Sequence, residues 1–431
     1  MKYLPIDSKL FIENRKKFVG KMKPNSMAIF NSNDEMPRNG DQNFPFRQNS
    51  DLFYLSGIDQ EKTILILYPD CPVPKYREIL FCVETNEIIA VWYGHKYTKE
   101  EATATSGIQT VVWLSQFESI LHELMVNCSN VYLNSNENLR FSTEVPYRDV
   151  RFNKWIQEKY PNHTYDRATP IVTELRVQKS PIEVELMKSA IEITNKAFRR
   201  LLHYVKPGVM EYEIEAEIDH EFIRNRASGH SYYPIIASGK SACVLHYVEN
   251  NRPCKDGDLL LLDFGAEYAN YCSDLSRTIP VNGKFTKRQK DVYNATLRVM
   301  RQATKMLVVG TTIDEYHAEV CKIMEKELIG LGLFTAEDVK KQDPNNPLFF
   351  KYYMHGTSHF MGMDVHDVGT KQMKLLPGMV FSCEPGIYIP DESIGIRIEN
   401  DILVTEKGPV DLMAQIPVEA DEIEELMAKG K

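Results

Sequence analysis

Apolar residues in the first part of the chain come in short runs. TILILY (63–68), EILFCV (78–83), QTVVWL (109–114) and NVYLN (130–134) are each the length of a buried strand. More polar stretches of helical character separate them, at 115–127 and 150–159, so this part reads as mixed α/β. Proline and glycine crowd residues 36–46, which predicts a loop. From Ser180 the period changes. Ser180-Pro181-Ile182-Glu183 is a capping box with proline at the first helical position. Behind it Met187, Ala190, Ile191, Ala197, Phe198, Leu201 and Leu202 recur at helical spacing and predict one long amphipathic helix. Pro207-Gly208 ends that helix, and a second follows near 211–225. Two further capping boxes, Thr286…Gln289 and Thr312…Glu315, open another helix pair that closes near Gly330 and Gly332. The change of pattern predicts two domains, 1–174 and 175–431.

Each helix pair leads into a strand-rich region, and the two regions share a spacing. Gly257 precedes Asp263 by six residues and Gly265 follows it by two; Gly378 precedes Glu384 by six and Gly386 follows it by two. A second carboxylate arrives on a later strand in both regions, Asp274 in one and Glu399 in the other. The pattern predicts a duplicated helix–helix–hairpin unit in which each half donates two acids to a shared centre.

Those acids sit in apolar surroundings, LLLLDFG, CSDLSRT, FSCEPGIYI and GIRIEND, where a lone charge is costly to bury. Any one of them alone reads equally well as a surface or salt-bridged acid. Together with His359 they match a dinuclear metal centre: four carboxylates offset two divalent cations, with one neutral imidazole completing the set. An oxygen-dominated set favours Mn²⁺ or a similar hard ion, with Zn²⁺ or Co²⁺ as alternatives. His355, His359 and His366 fall within twelve residues, in HGTSHFMGMDVHD, whereas the chain has eleven histidines in all. That concentration points to function. His246, in VLHYVEN, is ambiguous by itself, and His95, His122, His203, His220, His230 and His317 read as structural.

Composition narrows the class. Net charge is −9 and no long Lys/Arg run occurs, which argues against nucleic acid or an anionic membrane as partner. No phosphate-binding glycine motif is present. The start, MKYLPIDSKLFIENRKKF, lacks a signal-peptide core, and no apolar stretch nears the roughly 18 residues of a membrane span. The eight cysteines form no C-x-x-C pair, so reduced, mostly buried thiols in a cytoplasmic protein are expected.

SYYPIIASGKSACVLHYVEN, LLLLDFGAEYANYCSDLSRTIPVNGKFT, HGTSHFMGMDVHDVG and EPGIYI…GIRIEND resemble the metallopeptidase family of aminopeptidase P, prolidase and methionine aminopeptidase, from about Ser180 to Glu406. RQNSDLFYLSGI (47–58) and VWYGHKY (91–97) resemble the N-terminal domain of aminopeptidase P, which methionine aminopeptidase generally lacks. The resemblance implies a creatinase-like mixed α/β N-terminal domain followed by a pita-bread α/β domain with pseudo-twofold halves. It implies that Asp263 binds one metal, that Asp274 and Glu399 bridge two, and that His359 and Glu384 hold the other. Glu384 would also shuttle the proton of a bridging hydroxide. His246 and His366 would hydrogen-bond the substrate carbonyl and the tetrahedral intermediate. Tyr232, His355 and Arg397 would wall a proline subsite. Trp92 resembles a tryptophan that reaches a neighbouring subunit's site in some oligomeric relatives, implying a homo-oligomer, a dimer or tetramer. The activity implied is hydrolysis of the Xaa–Pro bond at the N-terminus of peptides. A prolidase restricted to Xaa-Pro dipeptides shares the ligands, and a non-catalytic peptide-binding module on the same fold is disfavoured because all five ligands are kept, as is creatinase-like chemistry without metal.

Overall fold

The computed structural model describes residues 2–429. They form two compact units, Tyr3–Arg176 and a second that begins at Val177.

The first unit is built on a six-stranded sheet. Its spatial order is Thr110–Trp113, Glu78–Cys82, Ile64–Leu67, Ser26–Asn31, Asn130–Leu133 and Thr164–Arg167. Ser26–Asn31 runs antiparallel to Ile64–Leu67 and parallel to Asn130–Leu133. These inner strands are buried along their whole length, which is why they read as unbroken apolar runs and not as alternating ones. Helices Phe117–Asn127 and Arg148–Lys159 pack Phe117, Leu121, Leu124, Phe152 and Ile156 against Ile29, Ile66, Phe81 and Val131. The segment expected as a loop around 36–46 contains a small hairpin, Pro37–Asn39 with Gln42–Asn43. All five residues are exposed, so the hairpin buries nothing that could leave an apolar signature.

In the second unit the three capping boxes open helices Pro181–Tyr204, Lys287–Thr304 and Ile313–Gly330. The Ser180 hydroxyl accepts from the Glu183 amide, and the Glu183 carboxylate accepts from the Ser180 amide at 2.8 Å. The first helix stops at Tyr204, ahead of Pro207, which cannot continue it, and a second helix, Glu211–Arg224, follows and packs against it. After each helix pair comes an antiparallel sheet. One consists of Ile235–Ser238, Leu259–Phe264 and Leu275–Pro280; the other of Val380–Cys383, Asn400–Thr405 and Gly408–Asp411, with a hairpin Gly386–Ile389/Ile394–Arg397 beside it in the chain. Gly257 and Gly378, the paired turn glycines, have φ of +84° and +90°, a region that side chains with a Cβ rarely adopt. The repeated spacing is thus a repeated backbone turn.

The halves are tied together at these strands. The Glu399 amide donates to the Ser276 carbonyl at 3.1 Å. Arg277, fully buried, donates to the carbonyls of Ser276, Glu399 and Pro417 and to the Asn400 side chain at 2.7–2.9 Å. A buried guanidinium whose donors are used in this way fixes one hairpin against the other. No helix among the described residues is long and apolar enough to cross a membrane.

Candidate metal centre

Four carboxylates and an imidazole converge where the two halves meet. Asp263 sits on Leu259–Phe264 opposite Ser276, and Asp274 lies just before Leu275–Pro280. Glu384 follows Val380–Cys383 directly, and Glu399 falls between Ile394–Arg397 and Asn400–Thr405. All four lie at or next to strand ends, so the paired backbone fixes where each side chain starts.

His359 Nε2 lies 3.3 Å from Asp274 Oδ2 and 3.6 Å from Glu384 Oε1. Its other nitrogen, Nδ1, is 3.1 Å from the Phe360 carbonyl, a partner that suits a proton on Nδ1 and turns Nε2 toward the acids. Asp274, His359 and Glu399 each offer one ligand atom within 4.8 Å of the others. Asp263 joins the group through Tyr232, whose hydroxyl lies between Asp263 Oδ1, at 2.5 Å, and Asp274 Oδ1, sharing its one proton with the pair. Glu399 Oε2 accepts from Ser276 Oγ at 2.8 Å, and the Glu384 carboxylate is 3.4 Å from Ser382 Oγ.

The electrostatics are unbalanced as they stand. Burial, and then the charges of Asp274, Glu384 and Asp263, hold the Glu399 carboxyl well above the usual carboxylate range. Burial also raises Asp274, against the pull of its His359 contact, and pushes Glu384 up to about 7. For His359 burial opposes the charge, but the Asp274 hydrogen bond and the charges of Glu384 and Asp274 outweigh it and the pKa is raised. Arg397, paired with Asp263 Oδ2, brings a guanidinium into the group. Glu399 Oε1 is buried and has no hydrogen-bond partner among the described residues. An orphaned carboxylate oxygen inside a set of mutually repelling acids is what a cation site requires, so the residues present fit divalent metal.

The remaining predicted residues divide. Arg397 is buried and donates to Ser276 Oγ at 2.9 Å and to the Tyr388 hydroxyl at 2.8 Å as well as to Asp263. His355 Nε2 is 2.9 Å from the same Tyr388 hydroxyl, and Nδ1 is 2.8 Å from the Gly356 carbonyl. Burial, helped by the Arg397 charge, lowers the His355 pKa to about 4, so the ring is neutral. The His366 ring stands edge-on to His359, centroids 4.4 Å apart. Tyr232 has its hydroxyl committed to the acids themselves. His246 lies in the exposed turn after Gly239–Cys243 and makes no hydrogen bond or ion pair with another described residue. Trp92 belongs to the first unit, on helix Glu87–Tyr93, and is 80% exposed. Sequence reasoning missed Ser276, Ser382, Tyr388 and Asp401. Asp401, fully buried, accepts from the Asp274 amide at 3.3 Å. Its position two after Glu399, in E-N-D, was a usable signal; the others had none.

Residues 185–406 match metallopeptidase family M24, and residues 11–132 match the aminopeptidase P N-terminal domain. The chain is 35% identical to the Xaa-Pro aminopeptidase of Escherichia coli, over 98% of each chain. It is similar to the structure of zinc-substituted E. coli aminopeptidase P in complex with product, with a TM-score of 0.88 and 33% identity over 99% of this chain and 100% of that one. It is also similar to the Pseudomonas aeruginosa aminopeptidase PepP, with a TM-score of 0.90 and 32% identity over 100% of this chain and 99% of that one.

Proposed function

The chain belongs to metallopeptidase family M24, and from that premise we propose that it is a Xaa-Pro aminopeptidase, removing the N-terminal residue of peptides whose second residue is proline. It is a hydrolase with the aminopeptidase P fold, a mixed α/β N-terminal domain ahead of a pita-bread domain. The observation that supports the proposal is the buried cluster of Asp274, His359 and Glu399, whose ligand atoms lie within 4.8 Å of one another, with Glu384 3.6 Å from His359, Asp263 joined through Tyr232, and Glu399 Oε1 without a partner among the described residues. These five would hold two divalent ions, Mn²⁺ being the best match to an oxygen-rich set. Bound there, such ions supply Lewis acidity toward the scissile carbonyl and a lowered pKa for water.

The chain's own groups do the rest. The Glu384 side chain is 20% exposed against 7% for Asp274 and 11% for Asp263, so it is the acid most open to the substrate side. It takes the proton of the attacking water and returns it to the proline nitrogen, which would otherwise leave poorly. His366, half-buried beside His359, is placed to donate to the carbonyl oxygen as negative charge develops. Arg397 donates to the Tyr388 hydroxyl, which in turn donates to His355 Nε2; that chain holds a neutral imidazole as one wall of the proline subsite, and the Tyr232 ring, its hydroxyl on Asp263 and Asp274, would form another. His246, in its exposed turn, would reach the substrate carbonyl from the solvent side. A free α-amino group is attracted by the acids, which favours cleavage at an N-terminus.

One helix supports the reading of a homo-oligomer. In Glu87–Tyr93, Ile88, Val91, Trp92 and Tyr93 are each 74–81% exposed, and a second copy of the chain would cover them. Eight unpaired cysteines suit a reducing, cytoplasmic location. The substrate reading is tested by comparing Gly-Pro-Ala, Gly-Ala-Ala and Gly-Pro. Proline fixes φ and has no N–H, so a site shaped to it turns over Gly-Pro-Ala far faster than Gly-Ala-Ala, with Gly-Pro slow. Rapid cleavage of Gly-Pro with Gly-Pro-Ala inert would make it a prolidase instead.

A further inference from the structure

The segment that carries His359 and His366 is held by an ion pair outside the metal centre. Lys179 Nζ lies 3.0 Å from Asp367 Oδ2, and both side chains are 1% exposed. Asp367 follows His366 directly. Its amide donates to the Phe360 carbonyl at 2.9 Å, closing residues 360–367 into a loop. The near side of the loop is pinned by backbone bonds, Met361 to the Val380 carbonyl at 2.9 Å and Cys272 to the Gly362 carbonyl at 2.8 Å. Lys179 is itself fixed, because its amide donates to the Gly378 carbonyl at 2.8 Å and the next residue is the helix cap Ser180. The pair also shapes its surroundings: a Cβ at Gly362 would lie 2.0 Å from Asp367 Oδ2 and 2.9 Å from Lys179 Nζ.

A buried ion pair is weak evidence for stability, since a well-packed apolar pair often does as well; its attested use is to fix geometry. We propose that Lys179 and Asp367 are positioning residues that set the His366 imidazole against the metal centre. This rests on the reading of His366 as the group that meets the substrate carbonyl. A shift of about 1 Å in such a group can lower turnover ~100-fold.

The test uses the full-length, Mn-loaded enzyme with Gly-Pro-Ala as substrate, and measures kcat, KM, bound metal and thermal stability. Lys179→Met should lower kcat by roughly 10- to 100-fold with KM and bound metal close to wild type. Because that variant leaves a buried carboxylate uncompensated, Lys179→Met/Asp367→Leu is the second arm: it should fold as stably as wild type yet keep the low kcat. Adding Lys179→Met to His366→Ala should lower kcat no further than His366→Ala does. A double variant with wild-type kcat, or independent multiplicative losses with His366→Ala, overturns the proposal while leaving the role of His366 intact. A His366→Ala enzyme with unchanged kcat overturns the reading of His366 and this inference with it.

Discussion

Glu384→Gln separates what the acids do to the fold from what they do with metal. Burial, and the charges of Asp274 and Asp263, push the Glu384 carboxyl from 4.5 up to about 7 in the folded protein. A carboxyl whose folded pKa is raised gives the fold its full contribution below about pH 4.5 and loses it as pH rises through about 7. The loss at pH 8 is about 3 kcal/mol, from 1.36 kcal/mol per unit over that interval. Glutamine keeps the shape and cannot ionise. In chelator, therefore, the variant should match wild type at pH 4.5 and exceed it at pH 8, the second unit melting up to about 6–12 °C higher. Mn²⁺ should invert the order. Wild type gains by mass action, about 4 kcal/mol when metal is a thousand times its Kd, whereas the variant has lost a ligand and gains less. The assay is thermal unfolding at both pH values, with chelator and with Mn²⁺. A metal-free variant no more stable than wild type at pH 8 would refute the claim that these acids repel one another in the absence of a cation.

In the first unit, burial and the charges of Asp51 and Asp34 push Asp149 up to about 7, and its Oδ2 has no hydrogen-bond partner among the described residues. Asp149→Asn should thus stabilise that unit by up to about 4 kcal/mol at pH 8 and by nothing near pH 4, read by denaturant titration. His366→Ala should lower kcat by roughly two orders of magnitude with metal content near normal, following the usual loss of one oxyanion donor; loss of bound metal would make His366 a ligand. Trp92→Glu should shift the protein to a smaller assembly in sedimentation while each chain keeps its fold.

What could be read from the sequence was local. Capping boxes are complete within four residues, so Ser180–Glu183, Thr286–Gln289 and Thr312–Glu315 announced their helices. The Gly257/Asp263 and Gly378/Glu384 spacings encode one turn and one strand each, and so exposed the duplication. Ser26–Asn31, the strand at the middle of the first sheet, went unread because polar Ser26 and Asn31 bound its short apolar stretch. Ser276, Tyr388 and Lys179 act across the fold: Ser276 meets Glu399 123 residues on, and Lys179 meets Asp367 188 residues on. Nothing within a short window distinguishes such residues from other serines, tyrosines or lysines. His359 and Glu384 stood out because their neighbours in sequence are also their neighbours in space.

The central claim is that Asp263, Asp274, His359, Glu384 and Glu399 hold two divalent ions on which Xaa–Pro cleavage depends. Bound metal and Gly-Pro-Ala turnover measured together, as Mn²⁺ is returned to exhaustively chelated protein, test it most directly. Activity should be absent without metal and rise to its limit as the second ion per chain binds, and Asp274→Ala and Glu399→Ala should abolish both. Full turnover by protein shown to contain no metal would contradict the account.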